Sequence, residues 1–335
     1  MSSIATLLQA AEYIERRESE RGVRNKFQDL PDELILKILS YLKLKYLIKC
    51  GQISMRTRNI SQDSSLWMTV TLKEKIVKTD FLEKILSRGC QILNISNSTI
   101  VGRLSSNIKS KLRVLYLSQS EWGYPIREWP AKVYYEENLE VIEELLFSCC
   151  SLQHLEMEGL CITPKMALSI CKNGKTLQVL NLNHSLVGTL DRLNYTWHNY
   201  LHNYAKKYMH NTTSDFQTII KCCQELKELD LNYINENEGI NDDDLEFLAE
   251  NISPNVERFK LIDQDIKDDH VNILLKRCNK IKILSLEATY ITNDTLKNIR
   301  KLLNLTFPKD SILKNESERK KLLHGLEWHC YGLYD

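Results

Sequence analysis

The sequence predicts an α/β protein in two parts: a solenoid of parallel strands backed by helices, preceded by a small module of three short helices. Two observations predict it. The first is a template, L-x-x-L-x-L, that recurs with apolar replacements at Leu112–Leu117, Leu152–Met157, Leu177–Leu182, Leu226–Leu231, Val256–Leu261 and Ile281–Leu286. The second is a different texture ahead of it. Between Phe27 and Trp67, the residues Leu34, Ile35, Ile38, Leu39 and Leu42 recur at helical spacing.

Residues 1–26 read as a helix with Ile4, Leu7, Leu8, Ala11 and Ile14 on one stripe, running into the charged stretch Glu15-Arg16-Arg17-Glu18-Ser19-Glu20-Arg21, a solvated surface. The stripe is too short, and too interrupted by Glu12 and Glu15, to be a secretory signal or a membrane span. An intracellular protein, in nucleus and/or cytoplasm, is expected. The ten cysteines agree, because none forms a C-x-x-C pair and the neighbours Cys149-Cys150 and Cys222-Cys223 cannot readily bridge each other. They are expected to be reduced. A chain of 335 residues with 43% hydrophobic content can bury a sizeable core, and a net charge of +1 carries no nucleic-acid footprint.

In residues 27–70 Asp29 is placed to cap a helix that Pro31 begins, with Asp32 and Glu33 suiting the positive end of its dipole. Two further amphipathic pieces follow, one with Tyr46, Leu47 and Ile48, the other with Ile53, Met55 and Ile60, before Leu66-Trp67 closes the segment. So small a module cannot cover its own apolar stripe. Either a partner covers it or the neighbouring domain does. Leu30-Pro31, the helix bearing Leu34, Ile35, Ile38 and Leu39, and the closing Ser65-Leu66-Trp67 resemble the F-box. The resemblance implies docking on a Skp-type adaptor, and through it on cullin and RING subunits, by Leu30, Pro31, Leu34, Ile35, Ile38, Leu39, Leu66 and Trp67. Thr57 stands where many such motifs carry Trp, which predicts looser adaptor binding.

Residues 71–304 hold the repeats. Third template positions at 157 and 182, then at 231, 261 and 286, lie 25, 30 and 25 residues apart, close to the roughly 20–29 of leucine-rich repeats. An irregular copy lies around Ile92–Ile95. Each template predicts a short strand, followed by an amphipathic helix such as those carrying Leu245, Phe247 and Leu248, or Val271, Ile273 and Leu274. One repeat cannot bury both apolar surfaces. Stacking does so, which predicts a leucine-rich-repeat horseshoe with a parallel β inner face and an α outer face. Cys149, Cys223 and Cys278 each stand three residues before a template, as an inward-packing residue would. Together with Leu86-Ser87-Arg88-Gly89 and Leu155-Glu156-Met157-Glu158-Gly159-Leu160, this pattern resembles the F-box/leucine-rich-repeat family of the S-phase-kinase-associated type, and implies a substrate receptor of an SCF-type ubiquitin ligase.

Two intervals, of 40 and 49 residues, break the period. The excess marks insertions near 118–138 and 186–211, which should share one rim because both follow a strand. Both are aromatic: Trp122, Tyr124 and Trp129 in the first, Trp197, Tyr200 and Tyr204 in the second. Such rings suit either target contact or covering of the sheet's end. His198 and His202 stand at i, i+4 without an evident third ligand, so no metal is assigned. Residues 305–335 lose the repeat and read as a cap or a tail.

Strand alternation turns Tyr116, Glu156, Glu158, Asn181, Asn183, Asp230, Asn232, Lys260 and Glu287 toward the groove, where the target is expected. Acids outnumber the one base, Lys260, so a neutral or basic target surface is expected rather than a phosphorylated one. No nucleophile elbow, phosphate loop or H-E-x-x-H motif is present, so no catalysis and no cofactor are expected. The alternative is a scaffold that keeps the F-box but assembles no productive ligase.

Overall fold

Pro31 fixes where the first helix starts. Its carbonyl accepts from Leu34 and Ile35 N–H at 3.1 Å each, making it the N-cap of α1 (Asp32–Ser40), and no side chain caps this end. The expected Asp29 cap is therefore not used: proline takes the cap position itself, one residue before the helix. The computed structural model of the chain describes residues 27, 29–105, 108–118, 131–183, 185–187, 215–231, 240, 242–262, 266–287 and 295. The chain divides into two compact units between Met68 and Thr69.

In the first unit, α2 (Leu44–Cys50) and α3 (Met55–Ser61) follow α1, and a 3-10 turn (Ser64–Trp67) closes it. Ser54 and Thr57 cap α3 reciprocally, each backbone N–H donating to the other's hydroxyl at 3.1 Å. Arg56 ties the start of α3 to that of α1, reaching Asp32 and the Leu30 carbonyl, both at 2.6 Å. The core is Ile35, Leu39, Leu47, Ile60 and Trp67, whose indole N–H donates to the Ser61 carbonyl at 2.7 Å.

The second unit alternates strands and helices. It begins with β1 (Thr69–Thr71), β2 (Ile76–Lys78), α4 (Thr79–Ser87), β3 (Ile92–Asn94), β4 (Thr99–Val101), β5 (Val114–Tyr116) and α5 (Ala131–Ser148). It continues with β6 (His154–Glu156), β7 (Cys161–Ile162), α6 (Pro164–Lys172), β8 (Val179–Asn181), β9 (Leu186–Val187) and α7 (Asp215–Cys222). Last come β10 (Glu228–Asp230), α8 (Asp242–Asn251), β11 (Arg258–Ile262), α9 (Asp268–Arg277) and β12 (Ile283–Glu287).

Eight strands form one parallel sheet in the order β1-β3-β5-β6-β8-β10-β11-β12. Val70, Leu93, Leu115, Leu155, Leu180, Leu229, Phe259 and Leu284 align in register across it. All eight are buried. The template's middle residue thus runs as one apolar row from edge to edge, between the sheet and helices that pack side by side from α5 to α9. This α/β arrangement is compatible with a leucine-rich-repeat horseshoe.

The sheet also settles the two long intervals. β5 pairs directly with β6, and β8 with β10, so no further strand enters the sheet there. The first interval is partly helix, since α5 starts at Ala131. Residues 119–130 and 188–214, with Trp122, Trp129, Trp197 and Tyr200, lie outside the described residues, as do Asn232, residues 1–26 and the C-terminal segment from 296.

Neighbouring repeats are tied by side-chain hydroxyls that reach back one repeat. Ser98 donates to the Leu72 carbonyl, Thr176 to Leu152, Ser185 to Met157 and Ser253 to Leu226, at 2.6–2.9 Å. A second recurring device is a left-handed residue four positions after the buried strand residue: Glu74 (φ 58°), Asn97 (φ 54°) and Gly159 (φ 73°). Each donates its backbone N–H forward, to the carbonyl of Ser96, Ser118 or Asn183 in the next repeat.

Candidate interaction surfaces

On α1 the helical period sorts neighbouring apolar residues to opposite sides. Ile35 and Leu39 are 1% and 2% exposed, Leu34 and Ile38 47% and 42%. Tyr41, three residues after Ile38, continues the outer row, and Ile53 and Met55 at the start of α3 are also exposed. Among the described residues, eight large apolar side chains are exposed in the first unit and four in the much longer second one. Such concentration on a small module marks an interaction surface.

In the second unit, residues on either side of the buried row face away from the helices. One flanking row is Ile92, Val114, His154, Val179, Glu228, Arg258 and Ile283; the other is Asn94, Tyr116, Glu156, Asn181, Asp230, Lys260 and Ser285. The sequence reading used the second row only, so it missed His154, Glu228 and Arg258. Charges on this open face are largely matched across strands. Glu228 meets Arg258 and Asp230 meets Lys260, each at 3.6 Å. Glu156 meets His154 of its own strand at 2.8 Å, and the His154 ring stacks at a tilt of 53° on Tyr116, centroids 5.1 Å apart. Burial, then the Glu156 charge, raises the Tyr116 phenol above its ordinary range. Arginine and lysine thus pair with the acid at the β10–β11 end of the groove. Unmatched acid remains at Glu158, for which no cation is found among the described residues; with Asn183 it lies past the strand ends, in turns rather than on the sheet.

Residues 27–73 match the F-box-like family. F-box domains bind Skp-type adaptors, and this match points to a role as an adaptor-binding subunit of an SCF complex. The F-box-like domain covers the first unit from Phe27, plus β1. Within it, the implied docking residues separate by burial. Leu34, Ile38 and Pro31 are exposed, Leu30 and Leu66 half-buried. Ile35, Leu39 and Trp67 form the core, so their part is to hold the domain together, because a side chain without accessible surface cannot touch a partner. Thr57 is only 5% exposed and caps α3, so the residue that departs from the familiar pattern faces inward. Tyr41, Ile53 and Met55 were missed as surface residues; for Tyr41 the available signal was its place three residues after Ile38.

Among the described residues no helix is long and apolar enough to cross a membrane. No group of three His, Cys, Asp or Glu among them is placed to hold a metal ion. His198 and His202 lie outside them.

Proposed function

We propose that this chain is a substrate-recognition subunit of an SCF-type cullin-RING ubiquitin ligase. The F-box-like domain docks the adaptor, and the second unit, read as leucine-rich repeats, holds the target protein. The observation that carries this reading is that the family match falls on the unit whose apolar side chains stay exposed. Leu34, Ile38 and Tyr41, with Ile53 and Met55, form the docking surface. Burying apolar area of this kind stabilises by about 25 cal/mol per Å² before the costs of association. The chain itself carries out no catalysis; a conjugating enzyme brought by the RING subunit supplies the chemistry.

The target lies on the open face over β3, β5, β6 and β8, where Ile92, Val114 and Val179 offer apolar contact and Tyr116, His154, Glu156 and Asn181 offer polar contact. The β10–β11 end contributes less, since its charges already have partners. A neutral or basic target suits the unmatched Glu158.

Co-purification of the full chain with a Skp-type adaptor tests the first half. Binding by the wild type that is lost in Leu34→Asp/Ile38→Asp, while the domain keeps its helical circular dichroism, is the expected result. No binding by the intact, folded chain would sink the reading. The scaffold alternative, which Thr57 encouraged at the level of sequence, predicts a reconstituted complex that binds adaptor but transfers no ubiquitin to captured partners.

A further inference from the structure

The cysteines with described surroundings are of two kinds. Cys90, Cys149, Cys223 and Cys278 are fully buried, and burial pushes their thiols up, to about 11 for Cys90, Cys149 and Cys278 and about 12 for Cys223. They are packing residues, as the places of Cys149, Cys223 and Cys278 before the templates predict. Cys171 and Cys222 are different, the first half-buried and the second exposed.

Cys171 lies in the last turn of α6, and Cys222 is the last residue of α7, the helix of the next repeat. These two helix ends meet closely. The Cys171 thiol donates to the Thr218 carbonyl at 3.5 Å, and Thr218 stands one turn ahead of Cys222 on the same helix. Gly174 lets the backbones approach, since a Cβ there would overlap the Cys222 carbonyl oxygen. Two thiols on adjoining helix ends whose backbones pack this closely, one of them open to solvent, are neighbours, which is the first requirement of a disulfide.

We propose that Cys171 and Cys222 form an oxidisable dithiol, a modification site at which a peroxide joins α6 to α7 covalently. The bond would close the chain segment that holds residues 188–214. Cys222, the exposed sulfur, attacks a peroxide oxygen: the O–O bond breaks, water leaves, and a sulfenic acid forms. Cys171 then attacks the Cys222 sulfur. The S–S bond forms, the S–O bond breaks, and the departing hydroxide takes the Cys171 proton as a second water. Two thiols lose two electrons, and one peroxide gains them. Burial first, then the Cys222 sulfur beside it, raises the Cys171 thiol far above its ordinary value, so the exposed Cys222 is the one that meets peroxide first.

The test treats the full chain with hydrogen peroxide, blocks remaining thiols, and maps non-reduced peptides by mass spectrometry with fragmentation that separates Cys222 from Cys223. A Cys171–Cys222 link, reversed by dithiothreitol, absent from Cys171→Ser and Cys222→Ser and retained in Cys150→Ser, is the expected outcome. In Cys171→Ser, Cys222 should proceed to the sulfinic acid. The proposal is overturned by any of three results in the wild type: Cys222 oxidised without a link, Cys222 linked to another cysteine, or Cys222 still reduced at a peroxide concentration that oxidises exposed Cys150.

Discussion

Leu34 and Ile35 sit next to each other on α1, yet one is half in solvent and the other fully enclosed; on β6, Leu155 is enclosed while its neighbours His154 and Glu156 are polar and half-buried. Both elements are amphipathic, but they dispose of their faces differently. The strand turns polar groups outward, and eight aligned residues close the apolar side into one row. The short helices of the F-box-like domain have too little material to close theirs, and what is left outside is also apolar. A module that stays folded while showing Leu and Ile to water has an apolar face left over for another chain, whereas the sheet has closed its apolar side and shows a polar one.

Substitutions at the paired positions test this contrast directly. Ile35→Asp buries a carboxylate without a partner and should unfold the F-box-like domain, with a loss above about 4 kcal/mol. Leu34→Asp should leave the melting transition within about 0.5 kcal/mol of wild type, as surface changes do. Equal loss in both would erase the distinction between inner and outer rows. In the sheet, Leu155→Ala should cost about 2–5 kcal/mol by urea denaturation, because the cavity lies in the middle of the apolar row.

Smaller effects are expected where the repeats turn. Glu74 holds a left-handed conformation that an L side chain adopts at a cost of about 1–2 kcal/mol. Glu74→Gly should therefore stabilise by up to about 1 kcal/mol, while Gly159→Ala, at the equivalent turn, should destabilise by at least about that much. If both changes had the same sign, the two turns would not be equivalent.

The smallest effect is electrostatic. Hydrogen bonds from Lys267 and Lys282, aided by the positive charge of the same lysines, hold the carboxyls of Asp242 and Glu257 below their ordinary range. A carboxyl depressed in the folded state contributes stability above its unfolded pKa, and this is lost as pH falls through the folded pKa. Lys267→Met with Lys282→Met should flatten the decline in melting temperature below about pH 4, leaving binding through the F-box-like domain unchanged. An unaltered acid limb would show that these exposed pairs do not couple to folding.

The six template strands were legible because apolar residues with spacing of three and two can only be buried together on a pleated strand. β1 was not, although Trp67-x-x-Val70-x-Leu72 fits the same spacing. There the first position is Trp rather than Leu, and the strand residues flanking Val70 are threonines. The second polar row was lost for a related reason. Reading only the residues after each central leucine leaves out those before it, although the pleat puts both on one face, and so Arg258 and His154 went unnoticed. In the F-box-like domain the helices were legible and their rotation was not: a stripe as wide as Leu34, Ile35, Ile38 and Leu39 does not say which half meets the protein's own core. The inward, capping place of Thr57 was not legible either, since it depends on Ser54 and on the angle at which α3 enters.

The hydroxyl ties between repeats have a bearing on how the second unit comes apart. Ser98, Thr176, Ser185 and Ser253 each bind a carbonyl one repeat earlier, so they act on nearest-neighbour coupling rather than on the stability of any one repeat. An array of this kind unfolds as one body only while every seam is stronger than the thermal fluctuations that open its ends. Thr176→Val and Ser253→Ala weaken single seams in mid-array without emptying the core. Hydrogen exchange would then divide into two protected blocks that open independently, at the repeat where the hydroxyl was removed.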